Sequence, residues 1–137
     1  MAVVLDSSAV IGFLDRSDRL HREADRAIRD LLQAEPLFVS TITYAEVLTG
    51  ARIGHHEETS VAGFFTELIS SILSVTVEVA DRAAHLRAAN PALRMPDALI
   101  VATAETEPEV ETLLSGDRDL ARLRGLACRL QVIGARD

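Results

Sequence analysis

Four carboxylates carry the chemistry this sequence offers. Asp6 closes the apolar run Ala2-Val3-Val4-Leu5, and Glu46 falls in the first turn of a helix predicted to begin near Thr43. Asp97 follows Pro96 at the start of another predicted helix, and Asp117 follows the strand-like stretch 110 to 115 through Ser115-Gly116. Strand ends and the helix starts that follow them face one edge of a parallel sheet, so the four acids could converge on one crevice. Two like charges about 4 Å apart repel by roughly 4 kcal/mol at an effective dielectric near 20. Such a group holds a proton or splays apart unless a cation joins it. Carboxylate oxygens without histidine or thiolate neighbours suit a hard ion, Mg²⁺, with Mn²⁺ as a substitute. A carboxylate-held ion can polarise a phosphoryl oxygen and activate water, which makes phosphodiester hydrolysis the best-matched reaction.

Each acid also has an ordinary structural explanation. Asp6 before Ser7-Ser8 could cap a helix, as could the serine hydroxyls themselves. Thr43-Tyr44-Ala45-Glu46 has the form of a capping box. Asp97 in a first turn meets the helix dipole favourably. In Asp117-Arg118-Asp119 either aspartate could face an ion while the other caps the next turn; Asp117 is the preferred one. Ser7, Ser8 and Ser115 could position a carboxylate or water by hydrogen bonding, or serve as caps and turns.

Composition narrows the chemistry further. The chain has 137 residues, 14 basic and 21 acidic side chains, a net charge of −7 and 48% hydrophobic residues, which fits one globular domain spanning 1–137. Every basic residue is arginine. With no lysine, a phosphate-loop lysine, a Schiff base and a Ser-Lys dyad are excluded. The same absence disfavours receiver domains and haloacid-dehalogenase phosphatases, which also need an Asp-x-Asp where this chain has Asp6-Ser7-Ser8. The acidic balance opposes loose, charge-driven binding to nucleic acid, so such a substrate has to be met by metal and local arginine, with Arg94 and Arg118 flanking two of the acids. Cys128 stands alone, which rules out an intrachain disulfide and a cysteine zinc site, and reads as a small buried apolar residue. His21, His85 and the pair His55-His56 lack metal-ligand spacing and read as solvated or bland. The start of the chain has no basic and then apolar leader, and no run of about 18 apolar residues occurs, so a cytoplasmic protein without membrane attachment is expected.

The elements that must hold these acids alternate between short apolar strands and helices. Strands are expected at 2–5, 37–40, 74–79, 110–115 and 129–133. Helices are expected at 9–14, 17–34, 43–51 (closed by Gly50 or Gly54), 57–73, 80–89, 96–104 and 119–124, the last ended by Gly125. Residues 134–137 read as a loose tail. Unalternated strands between amphipathic helices indicate an α/β fold, a three-layer α/β/α sandwich on a mainly parallel, about five-stranded sheet. The wide apolar face of 61–73 is either core or a seam for a partner helix.

Taken together, these stretches resemble the PIN-domain family, and within it the VapC-type toxin ribonucleases. Val3-Val4-Leu5-Asp6-Ser7-Ser8-Ala9-Val10 resembles the family's opening strand with its first acid, and Ser40-Thr41-Ile42-Thr43-Tyr44-Ala45-Glu46-Val47 the segment with its helix-borne glutamate. Met95-Pro96-Asp97-Ala98-Leu99-Ile100-Val101-Ala102 is close to its most diagnostic motif. Ser115-Gly116-Asp117-Arg118-Asp119-Leu120 resembles its last motif, with serine for the usual threonine and Leu120 for the usual aromatic. The resemblance implies that Asp6, Glu46, Asp97 and Asp117 form a Mg²⁺-holding acidic quartet, with Asp119 as a possible fifth member. It implies the toxin of a type II toxin-antitoxin system, an endoribonuclease acting on cellular RNA such as tRNA. The implied partner is a VapB-type antitoxin, and the implied assembly is a homodimer or toxin-antitoxin hetero-oligomer. A non-catalytic PIN-like binding module and a Mg²⁺-dependent DNA nuclease or phosphatase on the same fold remain open alternatives.

Overall fold

A computed structural model describes residues 1–134; beyond Gly134, the expected loose tail lies outside the described residues. Five strands, β1 (Ala2–Leu5), β2 (Leu37–Ser40), β3 (Ser71–Leu73), β4 (Val110–Ser115) and β5 (Arg129–Val132), form one wholly parallel sheet in the order β3-β2-β1-β4-β5. The helices are α1 (Ser7–Leu14), α2 (His21–Leu32), α3 (Thr41–Arg52), α4 (Glu58–Gly63), α5 (Val77–Ala89) and α6 (Met95–Thr106). From the central β1 the chain winds outward through β2 and β3, then returns to lay down β4 and β5 on the other side. The connections therefore reverse between β1 and β4, and the carboxyl ends of those two strands carry Asp6 and Ser115-Gly116-Asp117.

The unalternated strands are explained by burial on both faces. Val3, Leu5, Val39 and Leu114 pack against α1, α2 and α3 through Val10, Ile28 and Val47. Val4, Phe38 and Leu113 point the other way, onto Ala83 and Leu86 of α5 and Ile100 and Val101 of α6. Each large side chain so buried contributes about 1.5–3 kcal/mol before chain entropy is charged against it. The result is the expected three-layer sandwich.

Several boundaries differ from the sequence expectation. The helix expected over 57–73 ends early: α4 passes into a π-helical turn at Phe64–Leu68, Ile69 is already extended, and β3 follows. Residues 64–73 carry apolar positions at helical spacing, but the open edge of β2 captures this segment, pairing Val39 with Ile72. The strand expected at 74–79 is instead a connection and the first turn of α5, whose Thr76 side chain accepts a hydrogen bond from Val79 N at 3.1 Å. Val75, Val77 and Val79 imitate strand alternation, yet Val77 is 88% exposed. The first turn expected for the 17–34 helix is replaced by turns in which Asp15 accepts from Ser17 and Asp18 from Leu20 N, and α2 starts at His21. Residues Arg118–Arg122 make a 3-10 turn rather than a helix running to Arg124.

The wide apolar face of 61–73 is largely core. Val61, Phe64, Phe65 and Ile69 are buried, with Phe64 against Phe13 and Phe65 edge-on to Tyr44. His56 is not simply solvated, since its ring lies against Gly50 where a Cβ would come within 2.6 Å, and its Nδ1 is buried without a hydrogen-bond partner. Cys128 is half-buried beside the α5–α6 core.

Candidate active site

Asp6 sits at the reversal point because the β1 ladder continues through it: its N–H donates to Leu114 O at 2.9 Å while its backbone already takes the extended conformation of a helix cap. The Asp6 carboxylate, not a serine hydroxyl, caps α1, with Oδ1 accepting from Ser7 N at 2.8 Å. Oδ2 accepts from Ser115 Oγ at 2.6 Å and Ser8 Oγ at 3.0 Å. Oδ2 is thus saturated, whereas Oδ1 receives one bond and keeps a lone pair. Asp6 is only 6% exposed. Burial pushes its carboxyl above the usual range and the nearby Asp97 charge adds to that, against the Ser115, Ser8 and Ser7 hydrogen bonds that favour the anion.

Ser115 and Ser8 join two loops around this carboxylate. Ser115 Oγ accepts from Asp117 N at 3.0 Å as it donates to Asp6, and Ser8 Oγ accepts from Gly116 N at 2.8 Å. The strand end at 115–117 is thereby fixed to the start of α1. Gly116 packs closely there: a Cβ would stand 2.7 Å from Leu20 Cδ1, which would have to turn aside, and 3.4 Å from Ser8 Oγ. Asp117 caps the 3-10 turn, its Oδ1 accepting from Asp119 N at 2.9 Å. Asp119 lies farther out, with a side chain 83% exposed that faces Arg122 at 3.7 Å.

Glu46 reaches the cluster from α3. That helix starts two residues earlier than expected, with Ser40 as its cap, so no capping box forms between Thr43 and Glu46. Glu46 Oε1 instead accepts from Ser7 Oγ at 2.7 Å, and Ser7 Oγ also lies 3.1 Å from Thr43 Oγ1. Asp97 occupies the first turn of α6 behind Pro96 and faces the exposed Arg94 at 3.5 Å. Asp97 and Asp117 line the same cleft of about 770 Å³.

The fold therefore links Asp6 to Glu46 through Ser7 and to Asp117 through Ser115, and sets Asp6 within electrostatic reach of Asp97. Among the described residues no three acidic, histidine or cysteine groups are drawn close enough to cage an ion as they stand. Like charges without a countercharge splay, and the arrangement fits that rule. Its donors are all carboxylate oxygens, one of them buried with a free lone pair, which is the donor chemistry of a hard divalent cation rather than zinc. Sequence reasoning had no means of seeing Thr43 beside Ser7, a contact between positions 36 apart, or the Gly116 amide on Ser8. Neither leaves a local pattern.

Comparisons with known proteins agree with this fold. The model of the PIN domain family matches residues 3–126. A toxin-antitoxin complex from Klebsiella pneumoniae contains a chain 30% identical to this one, covering 92% of this chain and 96% of its own, with a TM-score of 0.69. VapBC2 from Rickettsia felis, bound to a DNA fragment from its promoter, is similar at 16% identity, with 97% and 99% coverage and a TM-score of 0.77. Mycobacterium tuberculosis VapC20, a toxin that cleaves the sarcin-ricin loop, is 17% identical, with 92% and 97% coverage and a TM-score of 0.70. No curated protein sequence matches the chain. Among the described residues no helix is long and apolar enough to cross a membrane.

Proposed function

Because this chain belongs to the PIN-domain family, we propose that it is the VapC-type toxin of a type II toxin-antitoxin pair, a Mg²⁺-dependent endoribonuclease that hydrolyses cellular RNA in the cytoplasm. The observation that carries this reading is the buried Asp6 carboxylate, whose charge is opposed by burial and by Asp97, which lines a cleft together with Asp117. An acid kept in such a place is costly unless a cation joins it. The Klebsiella toxin-antitoxin relative, at 30% identity over nearly the whole chain, supports the same assignment.

Asp6, Asp97 and Asp117 are the residues to hold Mg²⁺, with Mn²⁺ as a substitute. When bound, the ion supplies Lewis acidity toward a phosphoryl oxygen and toward water. The chain's own groups do the rest. Ser7 holds Glu46 Oε1, which orients the glutamate and leaves Oε2 to accept a proton from a water on the open side of the site. Ser115 and Ser8 fix Asp6 Oδ2, so that Oδ1 faces the site with one orientation. A VapB-type antitoxin fits the groove where Phe13 and His21 face Phe64 and Leu68. Phe13 and Leu68 there are only partly buried, so an amphipathic helix could complete their burial.

The test is cleavage of matched RNA and DNA oligonucleotides across a Mg²⁺ titration, with the Asp97→Asn protein alongside. RNA cleavage that needs Mg²⁺ and is lost in the variant supports the reading. Preference for DNA would move the assignment to a DNA nuclease, and no cleavage of either to a non-catalytic binding module.

A further inference from the structure

The cleft that opens from Asp97 and Asp117 runs away from the other two acids, along the seam between the α5–α6 connection and the 3-10 turn. Its volume of about 770 Å³ lies within the range of true ligand cavities. Its rim carries both signs of charge, Asp97, Asp117 and Asp119 together with Arg94, Arg122 and Arg124, in a protein whose net charge is −7. Leu123, half-buried, lies between Arg122 and Arg124 on that rim, and Leu93 and Leu120 lie beneath it.

The arginines are available for a ligand. Arg94 and Arg122 make only loose, exposed pairs, at 3.5 Å with Asp97 and 3.7 Å with Asp119. Arg124 makes no ion pair among the described residues. Its backbone, by contrast, is fixed. Asn90 Oδ1 accepts from Arg124 N at 2.8 Å, and Asn90 Nδ2 donates to Arg124 O at 3.1 Å and Leu86 O at 2.9 Å. Glu105, 2% exposed, anchors the next residues by binding Arg82 with both oxygens and accepting from Ala127 N, while Arg82 donates to Gly125 O. The rim is thus held before any ligand arrives, which reduces the ordering cost of binding.

Resting on the ribonuclease reading above, we infer that this cleft binds the single-stranded RNA adjoining the scissile phosphodiester. Arg122 and Arg124 contact phosphates beyond the one cleaved, and Leu123 receives a base. With the reacting phosphate at Asp97 and Asp117, the neighbouring phosphates reach Arg122 and Arg124, and Arg122 exchanges its loose pair with Asp119 for phosphate. Single-stranded RNA offers the unstacked bases that an apolar ledge and guanidinium planes can hold, whereas duplex grooves do not.

The experiment is steady-state cleavage of a fluorescent single-stranded RNA in Mg²⁺ at several salt concentrations. It compares the wild type, the Arg122→Ala/Arg124→Ala double variant, Arg124→Lys, and Arg26→Ala on exposed α2 as the control. The double variant is expected to raise KM about tenfold and to flatten the dependence of log KM on log salt by roughly 0.7 per arginine removed. Arg124→Lys keeps the charge and restores the salt slope. Wild-type cleavage with KM and salt slope unchanged in the double variant overturns the cleft assignment and leaves the ribonuclease reading standing. A wild type that cleaves no RNA in Mg²⁺ or Mn²⁺ overturns both.

Discussion

The Ser115 hydroxyl donates to the Asp6 carboxylate at 2.6 Å across 109 positions of sequence, and the same oxygen accepts the Asp117 amide. One buried hydroxyl thereby sets the orientation of one site acid and the backbone of another. It also ties the carboxyl ends of β1 and β4 together where the sheet's winding reverses. Replacing Ser115 by alanine removes a donor from an already disfavoured anion and orphans the Asp117 amide. The expected cost is about 1–3 kcal/mol of stability and a roughly 10–100-fold weaker Mg²⁺ affinity. Denaturant unfolding and Mg²⁺ titration of cleavage check both; an unchanged metal dependence would show that Ser115 is only structural.

Asp6→Asn separates stability from activity. The folded Asp6 carboxyl titrates above its unfolded value of 3.8. Its stabilising contribution is therefore complete below about pH 4 and is lost as pH rises through the folded pKa. Asparagine can keep the Ser7 cap through Oδ1 and carries no charge to bury, but its Nδ2 cannot accept the Ser115 and Ser8 hydroxyls. In chelator the stability difference between variant and wild type is expected to move in the variant's favour as pH rises from about 4 to 7, and back toward wild type when Mg²⁺ is added. RNA cleavage should fall by more than about a hundredfold. Thermal unfolding across pH, with and without Mg²⁺, is the measurement; a stability difference that stays constant between about pH 4 and 7 in chelator would contradict this account of Asp6.

The parts of the fold visible in the sequence were those with one dominant local signal. The runs 2–5, 37–40 and 110–115 are buried on both faces, so no alternation competed with a strand reading. Residues 64–79 depart from their local signals, since apolar positions at 64–73 satisfy a helix period while Val75, Val77 and Val79 satisfy a strand period. The sheet edge at β2 and the Thr76 cap decided the matter, and neither is local. Asp6, Asp97 and Asp117 stand out in the sequence because each lies at a strand end or helix start, whereas Glu46 lies in the second turn of α3. How Ser7, Ser8 and Ser115 distribute their hydroxyls leaves no local pattern, because their contacts with Thr43, Glu46, Gly116 and Asp6 include ones that join segments from 36 to 109 positions apart.

The Arg82–Glu105 pair gives a contrast between buried and exposed ion pairs. Glu105 is 2% exposed and Arg82 30%, and the glutamate also holds the Ala127 amide. Removing one partner of a fully buried pair costs about 3–5 kcal/mol; with Arg82 partly solvated, Glu105→Ala is expected to cost about 2–3 kcal/mol. Arg52→Ala, which breaks an exposed pair with Glu58, should cost under about 1 kcal/mol. Urea unfolding of the two variants measures the difference, and similar costs would show that the clamp on residues 125–127 carries little energy.

Cys128 reports on that same clamp. Burial, aided by the Glu105 charge, pushes its thiol up from 9.0 to about 11. The thiolate is the nucleophile, and a two-unit rise leaves about a hundredfold less of it at pH 8 than an ordinary thiol would have. Alkylation of the native protein should therefore be slow at pH 8 and climb steeply toward pH 11. The linkage has the matching sign: a raised folded pKa means that stability falls as pH rises from 9 through 11. Glu105→Gln removes the charge that disfavours the thiolate and one acceptor holding the 125–127 rim. Both changes speed alkylation at pH 8, and both shift the midpoint of the rate–pH profile downward. A profile with its midpoint near 9 in the wild-type protein would show that Cys128 is freely solvated, and an identical profile in Glu105→Gln would show that the carboxylate does not act on the thiol.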